Sequence, residues 1–423
     1  MTIQHAFNDY QERLVPPVCL TPQDGIFTSG YYDLNPWDRG MEYHLALKMP
    51  FQDHIPSPAD KAVLGVVDLN HGLSFLPLVE TFAWNHQQGS RQQWLLNEPH
   101  IFIYNDAVLK NNRWHTFSCL YDFKKRKKAG ELPLPVYCFS PDGVNAITLN
   151  FGRLHNRMGY AYAGAAAGRP DSNVPDDDGI WHIDIHSGKT KILCSLKQMA
   201  DRLPFKYEND DAYAFLSELK YNGDGSRIMA LLTFLLPDKK TWRWYLFTMD
   251  CNGHDLKCLL HPFYMDGISH YIWGRTPREI AVDANWRYKN TEYEKEEKDI
   301  IVFNEDEMKF NILAEGITLP TSGHFRFSPD GKWLLSDTYP VWGTFKQQLL
   351  LIDIENRKKI LIGDYYHGKQ SLFKGGSLIR GDQNLRCDLH PRWRQDGKAV
   401  SFDSIMNGDR KIYMVELNGI ISY

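Results

Sequence analysis

The chain has 423 residues, of which 43% are hydrophobic and 24% are charged, and its formal net charge is −4. This composition supports a large folded core and argues against a disordered chain. The one short basic run, residues 124–128, is too small for a nucleic-acid-binding surface.

Polar and charged residues interrupt the first 14 residues, where a signal peptide would need an unbroken apolar stretch, and no run of roughly 18 apolar residues occurs anywhere. Neither a signal peptide nor a transmembrane helix is therefore predicted. The seven cysteines are scattered and contain no Cys-x-x-Cys pair, which argues against a disulfide framework and a zinc knot. We therefore expect a cytoplasmic protein without a membrane partner.

A short strand-turn phrase recurs along the chain. Its copies are Phe-Ser-Pro-Asp-Gly at 139–143, Tyr-Asn-Gly-Asp-Gly at 221–225, Phe-Ser-Pro-Asp-Gly at 327–331 and Trp-Arg-Gln-Asp-Gly at 393–397. The Asp-Gly step favours a hairpin, because glycine supplies the positive φ of a tight turn. Repeats of roughly 40 to 60 residues with four strands each are typical of a propeller.

The fold class predicted is all-β: one seven-bladed β-propeller domain over residues 1–423 with four-stranded antiparallel blades. Six or eight blades are the alternatives. The approximate predicted blades are 15–80, 81–131, 135–200, 213–262, 268–318, 322–368 and 386–420.

Three insertions interrupt this rhythm, at 164–178, 289–299 and 365–384. Loops of this length on a compact domain usually lie at a functional rim. We interpret the Ala-Gly-rich stretch from Ala163 as such a rim loop. Segment 187–202 has apolar residues at helical spacing and predicts a short helix between blades.

Four histidines lie at comparable positions near the starts of the inner strands, where a propeller lines its central channel. They are His86, His270, His324 and His390. Converging imidazoles make a metal site or an acid–base site. The alternative is that each histidine only forms hydrogen bonds with its structural neighbours.

Two further patterns place charged groups near these histidines. Asp388, His390 and Arg392 alternate along one strand and so share a face, which suits either a metal and an anionic ligand or a closed ion-pair network. Arg243 lies between Trp242 and Trp244 and points away from them, as a carboxylate-binding guanidinium or as a cover for apolar surface.

From about residue 219 to residue 417, the order of these features resembles that of the oligogalacturonate lyases, seven-bladed pectin-fragment lyases related to the propeller of TolB. The Trp-Arg-Trp-Tyr-Leu strand at 242–246 is similar to a family strand that carries the arginine proposed as catalytic base. The segments at 269–273, 323–337 and 389–391 resemble those of the active-site histidine, the first metal-ligand histidine and the Gln-x-x-His-Pro-His signature.

The resemblance implies Arg243 and His270 as catalytic residues and His324 and His390 as ligands of a divalent metal, manganese or calcium. The chain departs from the family signature at two ligands, where it has Cys387 instead of glutamine and Arg392 instead of the second histidine. Asp388 is expected to replace one of them.

We assign substrate contacts to His86, Arg392 and Trp273. The function implied is β-elimination on uronate-containing oligosaccharides, with an acidic oligosaccharide as the partner and no nucleic acid. Two alternatives stay open. One is a non-catalytic propeller that binds a saccharide or a protein through its funnel. The other is a hydrolase with paired carboxylates such as Asp337 and Asp388.

Overall fold

The computed structural model describes residues 10–154, 159–168, 172–204, 211–238, 241–262, 265–286, 298–313, 318–319, 323–340, 344–367, 373–374, 377–378 and 386–421. These residues form a seven-bladed β-propeller with antiparallel blades, in agreement with the predicted fold class. Each blade contributes four strands in chain order from its inner to its outer edge, except that the last blade takes its outer strand from the start of the chain.

The chain begins with two short strands, β1 (Tyr10–Glu12) and β2 (Val18–Cys19). The strands of blades one to four follow, and they are β3 (Ile26–Thr28), β4 (Tyr43–Met49), β5 (Ala62–Asp68) and β6 (Ser74–Thr81); β7 (Gln93–Trp94), β8 (Ile101–Lys110), β9 (Arg113–Asp122) and β10 (Lys127–Leu132); β11 (Cys138–Phe139), β12 (Asn145–Thr148), β13 (Gly179–Asp184) and β14 (Thr190–Ser195); β15 (Tyr213–Tyr221), β16 (Arg227–Leu235), β17 (Trp242–Asp250) and β18 (Lys257–Leu260).

The strands of blades five to seven are β19 (Met265–Trp273), β20 (Glu279–Trp286), β21 (Lys298–Asn304) and β22 (Phe310–Ile312), with β23 (Thr318–Leu319) beside β21; β24 (Phe325–Phe327), β25 (Trp333–Asp337), β26 (Lys346–Asp353) and β27 (Lys358–Tyr366); β30 (Arg392–Trp393), β31 (Ala399–Ser404) and β32 (Lys411–Glu416). A separate hairpin joins β28 (Phe373–Lys374) to β29 (Ser377–Leu378).

The recurring Asp-Gly phrase forms the same hairpin in blades three, four, six and seven, where it joins the innermost strand to the second strand. Its glycines Gly143, Gly225, Gly331 and Gly397 have φ between 68° and 75°. Because a Cβ atom is strained at such angles, glycine fixes the turn and the start of each second strand.

The hydrophobic core consists of layers between consecutive blades. One layer joins blades six and seven through residues such as Leu351 and Phe402, and another joins blades four and five through residues such as Leu231 and Val282. The second strand of blade six, β25, is therefore buried along its whole length. This packing holds the inner strand ends at fixed positions around the axis.

The start of the chain closes the ring. Strand β2 pairs antiparallel with β32 and becomes the outer strand of blade seven, and β1 adds in parallel to β27 of blade six. The Nζ of Lys411 strengthens this closure by donating to the carbonyls of Pro22 and Gln23, at 2.9 and 2.7 Å, and to that of Gly25.

Residues 29–34, between β3 and β4, form a channel plug. Asp33 accepts two bonds from Arg91 before blade two, at 2.9 and 3.0 Å, and the Tyr32 carbonyl accepts one from Arg326 of blade six at 3.0 Å. The Tyr31 hydroxyl donates to Glu218 of blade four at 2.8 Å. Because its partners come from inner strands around the ring, the plug fills the central channel.

Two local predictions need correction. The Ala-Gly stretch is a 3₁₀ helix, Ala163–Gly168, rather than a loop. The helix expected over 187–202 is shortened to α1 (Leu196–Ala200), because residues 190–195 pair with β13 as an outer strand and Ser195 caps the helix that follows. Most of the insertions at 289–299 and 365–384 lies outside the described residues. None of the helices in the described part of the chain has the length and apolarity that a membrane crossing requires.

Candidate functional site

Three of the four predicted histidines meet at one end of the channel. His270 lies on β19, His324 directly precedes the inner strand of blade six, and His390 lies two residues before that of blade seven. The His324 ring centroid is 4.4 Å from that of His270 and 4.3 Å from that of His390. All three side chains are buried.

Carboxylates on the second strands orient two of these imidazoles. Nδ1 of His324 lies 3.1 Å from a carboxylate oxygen of Asp337, and Nδ1 of His270 lies 3.4 Å from one of Asp283. A carboxylate that accepts from Nδ1 leaves the lone pair of the imidazole on Nε2. Burial, together with the neighbouring His324, lowers the pKa of His270, so its imidazole is neutral near pH 7.

His390 is held by its backbone instead. Its φ is +44°, in the left-handed region, and its N–H donates to Asp337 at 3.1 Å. Its Nε2 is buried without a hydrogen-bond partner in the described part of the chain. Burial, with the neighbouring His324, lowers the pKa of His390 far below its usual range. A buried, neutral, unpartnered imidazole nitrogen is what a metal ligand presents in the absence of its ion.

Asp388 completes a group of three donors. Oxygen or nitrogen atoms of His324, His390 and Asp388 lie within 4.8 Å of one another. Arg386 donates from Nε and Nη2 to the two oxygens of Asp388, the latter at 2.7 Å. Burial raises the pKa of Asp388, but Arg386 outweighs burial and holds it below its usual range, so the carboxylate is ionised.

Tyrosines surround the histidine cluster. The Tyr339 hydroxyl lies 3.2 Å from Nε2 of His270, and the guanidinium of Arg386 lies 4.1 Å from the centre of the Tyr339 ring. The Tyr31 ring of the plug lies 4.9 Å from His390, and its hydroxyl bonds that of Tyr160 at 3.0 Å. The cluster thus combines three imidazoles, the Asp388 carboxylate, phenols and the Arg386 guanidinium.

The other predicted site residues lie elsewhere. Arg243 is exposed on β17 and donates to the carbonyl of Trp242 at 3.0 Å. His86 is buried beside a separate cleft of about 460 Å³, with Nε2 3.2 Å from the Phe51 carbonyl; burial and Arg410 lower its pKa to about 3. Trp273 donates to the Lys220 carbonyl at 3.1 Å and packs between blades.

Arg392 points at the channel plug rather than at the histidines. It donates to the carbonyls of Tyr31, at 3.0 Å, and Gly30, and lies 3.5 Å from Asp403. Its guanidinium is therefore fully used in holding the plug. Asp337 is likewise engaged by His324 and by the His390 backbone, which argues against a free carboxylate pair with Asp388.

The histidines and their carboxylate partners follow a regular spacing in the sequence. Thirteen positions separate His270 from Asp283 and His324 from Asp337, and the same spacing separates His390 from Asp403. The spacing places the aspartate on the second strand beside the inner-strand start. In blade seven Asp403 instead accepts from Thr28, at 2.6 Å, and from Arg392.

The donor set fits a divalent metal. Two imidazoles and one carboxylate suit manganese, iron or zinc, and His324 has the Asp337 partner that metal-bound histidines usually have. Cys387, at the position of the family's glutamine, is not part of this donor group. His324, His390 and Asp388 are the residues that would hold the ion.

Fold and site together define a seven-bladed propeller with a buried histidine cluster beside the channel plug. No protein-family model matches the sequence, and no curated protein is similar to it. Among solved structures, an oligogalacturonate lyase in complex with manganese superposes with a TM-score of 0.63 at 13% identity, covering 95% of this chain and 93% of that chain.

An oligogalacturonate lyase from Vibrio parahaemolyticus gives a TM-score of 0.63 at 13% identity, with coverage of 96% and 95%. TolB from Acinetobacter baumannii gives 0.38 at 14% identity, with coverage of 72% and 61%. The chain therefore has the fold of the oligogalacturonate lyases over nearly its whole length.

Proposed function

We propose that the protein is a metal-assisted lyase that cleaves uronate-containing oligosaccharides by β-elimination. The observation that carries this proposal is the convergence of His270, His324, His390 and Asp388 in one cluster of this fold. When bound, a divalent metal would neutralise the uronate carboxylate and so acidify the proton at the adjacent C5.

His270 is the proton acceptor in this proposal. Asp283 accepts from Nδ1, so Nε2 carries the lone pair, and the Tyr339 hydroxyl lies 3.2 Å from it. Because burial keeps this imidazole neutral, it can accept a proton near pH 7. Arg243 is exposed, and a guanidinium stays protonated, so it does not serve as the base here.

Tyr339 is the proton donor to the leaving oxygen. Nε2 of His270 takes the C5 proton, and the electron pair left at C5 forms the C4–C5 double bond and expels the oxygen at C4. Tyr339 gives its hydroxyl proton to that oxygen and takes the proton that His270 has acquired, across a separation of 3.2 Å. The residues return to their starting protonation states.

The test is turnover by the full-length protein on galacturonate and glucuronate oligomers, after metal removal and with Mn²⁺ restored, followed by ultraviolet absorbance of the new double bond. His270→Gln is expected to lower kcat by about 10²-fold or more. His182→Gln is the matched control, because His182 is half-buried on β13 and bonds Asn145 at 2.8 Å.

Absence of turnover across the oligomers, or full activity of His270→Gln, would refute the proposal. Uronate binding without turnover in the unmodified chain would favour the second candidate, a non-catalytic saccharide-binding propeller. That candidate is supported by the burial of the cluster and by the engagement of both Asp388 oxygens with Arg386.

A further inference from the structure

Arg386 and the metal donors share one carboxylate. Both oxygens of Asp388 accept from the Arg386 guanidinium, yet Asp388 also belongs to the donor group with His324 and His390. A cation bound at Asp388 would therefore lie close to a fixed positive charge. Like charges at such separations in a buried site repel strongly.

Arg386 differs from Arg392 and Arg410, two other arginines near the axis. Arg392 and Arg410 are each 1% exposed and donate to main-chain carbonyls. Arg386 is 7% exposed, and its Nη1 has no hydrogen-bond partner among the residues that the structure describes. Its guanidinium packs on Tyr339, whose hydroxyl bonds His270.

This position places unused donors beside the proposed acid–base pair. A guanidinium with unused N–H groups binds a carboxylate with defined geometry. Among the arginines described around the cluster, Arg392 is turned to the plug, whereas the Arg386 guanidinium lies on the Tyr339 ring with one nitrogen unused. Its present partner, Asp388, occupies only two of its three nitrogens.

We propose that Arg386 binds the carboxylate of the substrate and that its shared hold on Asp388 couples substrate binding to metal binding. This inference rests on the proposed function. Without an anionic ligand, Arg386 neutralises Asp388 and weakens the metal site. When a substrate carboxylate binds the Arg386 guanidinium, the guanidinium moves away from Asp388. The Asp388 carboxylate is then available to bind the metal. By linkage, the metal tightens substrate binding by the same factor.

Calorimetric titration of the full-length protein with Mn²⁺ tests the coupling without turnover. The ligand is monomeric galacturonate, which has no glycosidic bond at C4 to eliminate, and galactose is its neutral control. In the unmodified chain, saturating galacturonate is expected to tighten Mn²⁺ binding about tenfold, and galactose is expected to leave it unchanged.

Arg386→Gln is expected to tighten Mn²⁺ binding about tenfold without galacturonate and to lose the further effect of galacturonate. Arg394→Gln is the matched control, because Arg394 makes the same two-bond pair with a carboxylate two residues on, Asp396, at 2.9 and 3.0 Å. If Arg386→Gln does not fold, the comparison of galacturonate with galactose in the unmodified chain decides.

Equal Mn²⁺ affinity with and without galacturonate in the unmodified chain, or coupling that persists in Arg386→Gln, would overturn the inference. Turnover without coupling would leave the lyase proposal standing and remove this one. Coupling without turnover would support Arg386 as the carboxylate-binding residue of a metal-dependent uronate-binding propeller and refute the lyase.

Discussion

Replacing His390 with asparagine tests the proposed metal site without disturbing the fold. Asparagine tolerates the left-handed φ of +44° at this position but cannot supply an imidazole nitrogen. The substitution also removes the buried Nε2 of His390, which has no described partner. Leaving such a group unpartnered costs the metal-free protein about 1–3 kcal/mol of stability. The metal-free stability of the variant is therefore expected to lie within about 2 kcal/mol of that of the unmodified chain.

The metal response is expected to differ. At a Mn²⁺ concentration of about 100 Kd, binding stabilises the folded state by about 2.7 kcal/mol. With an unfolding entropy of about 2.1 cal/mol/K per residue, the 423 residues give about 0.9 kcal/mol/K. The unmodified chain should thus gain about 3 °C in Tm, and His390→Asn should gain almost nothing.

Differential scanning calorimetry across a Mn²⁺ series measures both values, and His182→Asn serves as a histidine control remote from the site. An equal rise in Tm for His390→Asn and the unmodified chain would show that His390 is not a ligand. The reasoning from its unpartnered nitrogen would then be wrong.

Three further outcomes are expected. Asp403→Asn leaves the buried Arg392 without its counter-ion and should cost about 3–5 kcal/mol of unfolding free energy in urea titrations; an unchanged midpoint would contradict this. Arg243→Ala, at an exposed position, should keep its turnover and its stability within about 0.5 kcal/mol, and lost turnover would restore the role that the family resemblance implies. Burial, with Arg392, lowers the pKa of His44 to about 3. As the pH drops below about 6.5, His44 therefore takes up a proton in the unfolded chain before it does so in the folded chain. The free energy of unfolding then falls by up to about 1.4 kcal/mol per pH unit between pH about 6.5 and about 3. His44→Gln should flatten this slope between pH about 6.5 and 5, and an unchanged slope would refute the assignment.

The sequence predicts the fold because its turns are local signals. Each Asp-Gly phrase sets a positive-φ glycine at the same hairpin of a blade, and that hairpin marks where an inner strand begins. This is also why His270, His324 and His390 could be expected to line one channel. Their convergence depends on the repeat and not on any one side chain.

The rest of the site depends on the direction of side chains that alternation along a strand cannot give. Asp388, His390 and Arg392 are expected from the sequence to alternate along one strand, but β30 begins only at Arg392. The left-handed backbone at His390 and the carbonyls of the plug turn Arg392 away from the histidines. The plug itself has no sequence signal, since Tyr31 and Tyr32 fit a sheet core equally well. Arg386 lies just before a matched motif and gains its role from Asp388, two residues later.

Anomalous diffraction from crystals grown with Mn²⁺ and galacturonate tests the central claim most directly. Our account expects one manganese peak bounded by His324, His390 and Asp388, with the sugar carboxylate beside it and beside Arg386. Crystals that hold manganese at another position, but none among His324, His390 and Asp388, would contradict our account.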